Sequence, residues 1–221
     1  MGGRGSRSGV AGFIDWLANE GGGAGGGSGY PIDIDNLGLH TLQDVENRIR
    51  NLKHEELYVF DKDGNLIEAY KGNKTSVAFP SDVLQYEGAT VTHGHPKGAA
   101  QFGGTLSFAD MKNMLKSQWS EHRATASGQG EMNYILRRGR KSDSVGFYKQ
   151  INKDYQRLTG SLKDTYNNAY QKALDAGKTR ATAMHEARQT AVGELNRYYK
   201  DTAPKFGFEY ITRKKAYKYN R

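Results

Sequence analysis

Ala89-Thr-Val-Thr-His-Gly-His-Pro96, with Ser107-Phe-Ala-Asp110 following after the eleven residues Pro96 to Leu106, decides how the chain is read. Ala89 to Thr92 is β-branched and apolar enough for a buried strand, and it runs directly into the His pair. Two His at i and i+2 on a strand share one face, so His93 and His95 can reach the same ion, and Gly94 leaves the backbone between them uncrowded. Pro96 ends the strand, and Lys97 to Thr105, with Gly98, Gly103 and Gly104, reads as a mobile loop. Ser107-x-x-Asp110 then opens a helix with a Ser cap and an acidic third residue, ahead of Met111, Met114, Leu115 and Trp119 at helical spacing.

Upstream, Thr41-x-x-Asp44 precedes Leu42, Val45, Ile49 and Leu52, which predicts a helix over 41–53. Glu55 to Phe60 reads as a strand, Asp61 to Gly64 as a tight turn, Asn65 to Tyr70 as the returning strand, and Ser76 to Phe79 as a further short one. From Ser142 to about Thr202, Phe147, Ile151, Tyr155, Leu158, Leu162, Tyr166, Tyr170 and Leu174 recur at mostly helical spacing, stop at Ala176-Gly177 and resume over 181–199. This is an antiparallel helical pair whose aromatic stripe suits a packing seam better than a base-stacking surface. The expected architecture is α+β: a central mixed sheet carrying the His pair, flanked by helices 41–53 and 107–121, with a helical-hairpin insertion before a last strand. Its core centres on Leu57, Val59, Leu66, Val91, Leu115, Ile135 and Ile211.

The 221 residues, 36% hydrophobic, suit one domain with appendages or two small ones. Four segments follow: a flexible Gly-rich arm over 1–29, holding 12 of the 28 glycines; a core over 30–140; the hairpin over 141–204; and a strand with a basic tail over 205–221. With no Cys, a disulfide scaffold, thiolate ligands and a Cys nucleophile are excluded, leaving His, Asp, Glu or water to hold any metal. No apolar run approaches the ~20 residues of a membrane span, so no membrane partner is expected. The net charge of +8 is uneven: residues 1–136 carry 12 Lys+Arg against 16 Asp+Glu, and 137–221 carry 20 against 8. Arg213, Lys214, Lys215, Lys218 and Arg221 are therefore the candidates for contact with DNA or another polyanion.

The order of Glu55 on an early strand, His93-x-His95-Pro96 at the end of a later one and Ser107-x-x-Asp110 at a helix start resembles the JAB/MPN (JAMM-type) zinc hydrolase signature, closest to its RadC-like form. It is also similar to phage-encoded domains of this kind in or near head morphogenesis (minor capsid) proteins, which continue into stretches like Glu121-His-Arg-Ala-Thr125 and Tyr134-Ile-Leu-Arg-Arg138. Gly3-Arg-Gly-Ser6 resembles the start of phage proteins of Gram-positive hosts. The likeness spans roughly residues 40–140 and departs in one place: its pattern has about seven residues between the second His and the Ser, against the eleven of this chain.

The resemblance implies a JAB/MPN fold with cytidine-deaminase-like layering and one zinc ion held by His93, His95 and Asp110, with one position left for a water whose pKa falls toward ~7. It implies Glu55 as general base and Ser107 as donor to the oxyanion, together hydrolysing an amide or isopeptide bond of a peptide or protein. Glu56 is the alternative base, because a register error of one residue exchanges the two faces. The implied setting is the bacterial host cytoplasm or the phage virion, with capsid or other virion proteins as partners. A second reading is a virion- or DNA-associated structural protein that keeps the fold without hydrolysis. His40, His54, His122 and His185 read as packed or surface residues, and His185-Glu186 has no second His at zincin spacing.

Overall fold

The computed structural model describes residues 29–74, 76–96, 105–126 and 132–214. The arm over 1–28, most of the loop Lys97 to Thr105, and the tail residues Lys215, Lys218 and Arg221 lie outside the described residues.

The sheet comprises β1 (Tyr30–Pro31), β2 (Glu56–Phe60), β3 (Leu66–Lys71), β4 (Thr90–His95), β5 (Glu121–Ala126), β6 (Met132–Arg138) and β7 (Phe208–Lys214), in the spatial order β1-β3-β2-β4-β5-β6-β7. Every neighbouring pair is antiparallel except β4 and β5, so the sheet is mixed and the fold is α+β. The parallel step needs a crossover, and helix α2 (Phe108–Lys116) makes it. Helix α1 (Leu42–Ile49) precedes β2, while α3 (Ser144–Asp175) and α4 (Arg180–Thr202) form the antiparallel pair between β6 and β7.

The pleat sorts the strand residues into two layers. On one face, Tyr58, Phe60 and Ala69 pack with Val45 and Ile49 of α1. On the other, Leu57, Val59, Val91, Ala124, Leu136 and Phe208 share one apolar cluster with Phe108 and Met111 of α2, Phe147, Ile151 and Leu162 of α3, and Leu195 and Tyr199 of α4. The helical pair thus closes the same core that the sheet opens, and its aromatic stripe is that seam: Phe108 meets Tyr155 and Tyr199 edge-on, with ring centroids 4.9 and 6.4 Å apart.

Asp61 Oδ1 accepts from the backbone N–H of Asp63 and Asn65, and Gly64 takes φ 86°, which fixes the β2–β3 turn. Three expectations need correction. Helix 41–53 stops at Ile49 and helix 107–121 at Lys116, because Leu52 and Trp119 reach their cores from the exits of the helices. Ser76 to Phe79 is no strand of the sheet; Val77 and Phe79 are buried from an irregular segment. Leu66 and Ile211 are only half-buried, whereas Leu57, Val59, Val91, Leu115 and Ile135 are buried.

Candidate metal centre

β4 carries His93 and His95 on the face covered by α2, in register with β2 such that Leu57 lies opposite His93. Extending that register by two residues sets Glu55, just ahead of β2, opposite His95. Glu55 is buried, and its backbone N–H donates to the carbonyl of Asn73, two residues past the end of β3, at 2.7 Å. Glu56 turns to the opposite layer, where Arg48, His54 and Tyr58 surround its carboxylate.

The two imidazoles converge. His93 Nε2 and His95 Nε2 lie 2.9 Å apart, and they stand 3.3 and 3.7 Å from Asp110 Oδ1 and Oδ2. Asp110 is aimed there by the start of α2: its Oδ2 accepts from the Ser107 backbone N–H at 2.7 Å and from Ser107 Oγ at 2.8 Å, while its own N–H donates to Ser107 Oγ at 3.1 Å. This reciprocal cap satisfies helix donors that would otherwise be orphaned. The same hydroxyl and carboxylate therefore cap the helix and border the His pair, and all four side chains are buried.

Burial disfavours the charged Asp110 carboxylate, yet the adjoining His93 and hydrogen bonds from His93 and His95 hold it well below the usual carboxylate range. Burial, with the neighbouring His93, pushes His95 below the ordinary imidazole value even though Asp110 opposes the shift. A buried carboxylate facing two imidazole nitrogens is a donor set that suits a divalent cation.

The reading of His122 as a packed or surface residue is incomplete. It is buried, and it belongs to the cluster: donor atoms of His93, Asp110 and His122 all lie within 4.8 Å of one another, so this group could hold a metal ion. β5 runs parallel to β4 with His122 beside Val91 and Ala124 beside His93, which puts His122 on the His93 face, one pleat repeat toward the start of the strands. The His122 ring sits 5.0 Å from that of His93 and 5.1 Å from that of Trp119, and burial pushes its pKa down to about 3. Only the parallel register brings it there, and a lone His in Glu121-His-Arg-Ala-Thr125 does not reveal that register.

Tyr199 of α4 is the other residue that the sequence left as packing. Its hydroxyl is buried without a hydrogen-bond partner, and burial, with Tyr210 and Asp110 nearby, raises it well above the ordinary phenol value. Tyr210 Oη meets Thr105 Oγ1 at 2.9 Å, on the approach to Ser107. A separate groove of about 410 Å³ on the helical pair, bordered by Gln150, Asp154, Arg157, Tyr198 and Lys205, includes none of the cluster residues. Of the basic candidates with described side chains, Arg213 is exposed on β7, where its backbone pairs with Asn133. Among the described residues, no helix is long and apolar enough to cross a membrane. No family model matches the sequence, and neither a curated protein nor a solved structure matches it.

Proposed function

We propose that the chain is a JAMM-like zinc metallohydrolase with a RadC-like core, phage- or prophage-encoded, cleaving an amide or isopeptide bond of a peptide or protein. The observation that carries this reading is the convergence of His93 Nε2 and His95 Nε2 on the two oxygens of one buried carboxylate. The fit to a cation rests on chemistry: two imidazole Nε2 atoms and a carboxylate face one another, and an ion there would take the place of the protons they now share. His93, His95 and Asp110 would hold the ion. When bound, zinc supplies Lewis acidity that lowers the pKa of a water and polarises a carbonyl oxygen.

The remaining roles belong to the protein. Glu55, opposite His95 and on the same sheet face, is the carboxylate that takes a proton and returns it to the leaving amine. Glu56 is not suited to that task, because Arg48, His54 and Tyr58 already engage it in the opposite layer. Ser107 Oγ borders Asp110 and supplies a hydroxyl for the oxyanion once its cap bond is released. Capsid or other virion proteins are the proposed substrates or partners, within the host cytoplasm or the virion.

The test is elemental mass spectrometry on chelator-free protein beside a His93→Ala/His95→Ala variant, followed by assay of the loaded protein on peptide and isopeptide substrates. Near-stoichiometric zinc that is lost in the variant, with cleavage lost in Glu55→Gln at unchanged zinc content, is the expected result. A folded protein without metal would overturn the reading and leave a virion- or DNA-associated structural role, to be sought through salt-dependent DNA binding.

A further inference from the structure

We infer that His122 is a metal ligand of this centre, in addition to His93, His95 and Asp110. The inference rests on the metal reading above and extends it from two imidazoles to three. Its first support is the tautomer. His122 Nδ1 lies 3.1 Å from the Asp110 backbone carbonyl, which can only accept, so Nδ1 carries the hydrogen and Nε2 keeps the lone pair. Its second support is that Nε2 is buried with no hydrogen-bond partner. Buried polar atoms are rarely left this way, and a bound cation would satisfy this acceptor nitrogen.

The third support is placement: the donor atoms of His93, Asp110 and His122 fall within 4.8 Å of one another. A histidine that ligates through one nitrogen while the other donates to a backbone carbonyl is the usual way a protein orients a metal-bound imidazole. Here the carbonyl belongs to Asp110, so one residue ligates with its side chain and aims a second ligand with its backbone. Three imidazoles and one carboxylate would then be available to the ion, one protein ligand more than the three that a zinc with a water position keeps.

The test uses the full chain loaded with zinc. X-ray absorption should count three imidazoles on the ion in the wild type and two in His122→Phe, which preserves ring packing against Trp119 and His93. Competition with a chromophoric chelator should show zinc bound roughly 10- to 100-fold more weakly in His122→Phe, and likewise in His122→Asn, which tests the result in a second side chain of different shape. Circular dichroism identifies any variant that fails to fold, and the wild-type imidazole count decides the matter alone in that case. Two imidazoles in the wild type, or unchanged affinity in both folded variants, overturns the inference while leaving the His93, His95 and Asp110 centre standing. A wild type that binds no zinc overturns both, and so separates failure of the centre from failure of the extra ligand.

Discussion

Glu56 accepts from Arg48 Nε at 3.0 Å and from Tyr58 Oη at 2.6 Å, with His54 Nε2 at 2.9 Å, whereas the strand register, extended past Leu57, sets Glu55 opposite His95. The pleat separates them, so two adjacent carboxylates take unrelated tasks. Burial alone would raise the Glu56 carboxyl, but hydrogen bonds from Arg48, Tyr58 and His54 hold it below the ordinary value. A folded-state pKa below the unfolded one gives stability that is complete above the unfolded pKa and fades as pH falls through the folded one. Urea unfolding of Glu56→Gln should therefore show a loss of about 1–3 kcal/mol at neutral pH and a smaller deficit near pH 3, with zinc content unchanged. An equal deficit at both pH values would mean that the charge of Glu56 contributes nothing. Glu55, His93, His95, Ser107 and Asp110 could be singled out from the sequence because their residue types and order are themselves the signal. His122 could not, since its place depends on which strand lies beside β4 and in which direction.

At the scale of elements, one motif is used twice. Thr41 and Asp44 cap α1 at the surface, with Asp44 Oδ2 accepting from the Thr41 N–H at 3.0 Å; Ser107 and Asp110 cap α2 in the interior. Both helix starts were legible, because a Ser or Thr three residues before an acid marks its own position. The helix ends were not, because Leu52 and Trp119 continue the apolar pattern after the backbone has left the helix. Thr41→Ala and Ser107→Ala should each cost about 0.5–2 kcal/mol in chemical denaturation. Only Ser107→Ala should also weaken zinc binding, roughly 10-fold, because it removes the Ser107 Oγ bond that helps aim Asp110 Oδ2, although the backbone N–H bond stays. Equal zinc affinity in the two variants would reduce Ser107 to a helix cap. Gly94 tests the packing behind the His pair: a Cβ there would stand 3.3 Å from Ile49 Cβ, so its value lies in the approach of α1 to β4. Gly94→Val should destabilise by about 1–3 kcal/mol, and a folded variant with wild-type stability would show that α1 yields freely.

Across the whole molecule, the helical pair, expected as an insertion whose aromatic stripe is a packing seam, is part of the one core. Leu195 and Tyr199 of α4 and Leu162 of α3 are buried in the same cluster as Val91 and Ala124 of the sheet, and β7, which follows the pair, hydrogen-bonds along β6. Sequence periodicity could locate the two helices but not what they cover, because an apolar stripe does not name its partner. If sheet and hairpin share one core, they should unfold together. Helicity measured by circular dichroism reports chiefly α3 and α4, and the fluorescence of Trp119, in a Trp16→Phe background, reports the layer beside His122. The two thermal transitions should coincide in the wild type. Leu195→Ala, which removes a fully buried side chain from α4, should lower both by the same amount, for a loss of about 2–5 kcal/mol. Zinc should raise both together, since a ligand that binds only the folded state stabilises the whole cooperative unit by mass action. A helical transition that moves with Leu195→Ala while the Trp119 transition stays in place would separate the pair from the sheet, and with it remove Tyr199 from the surroundings of the centre.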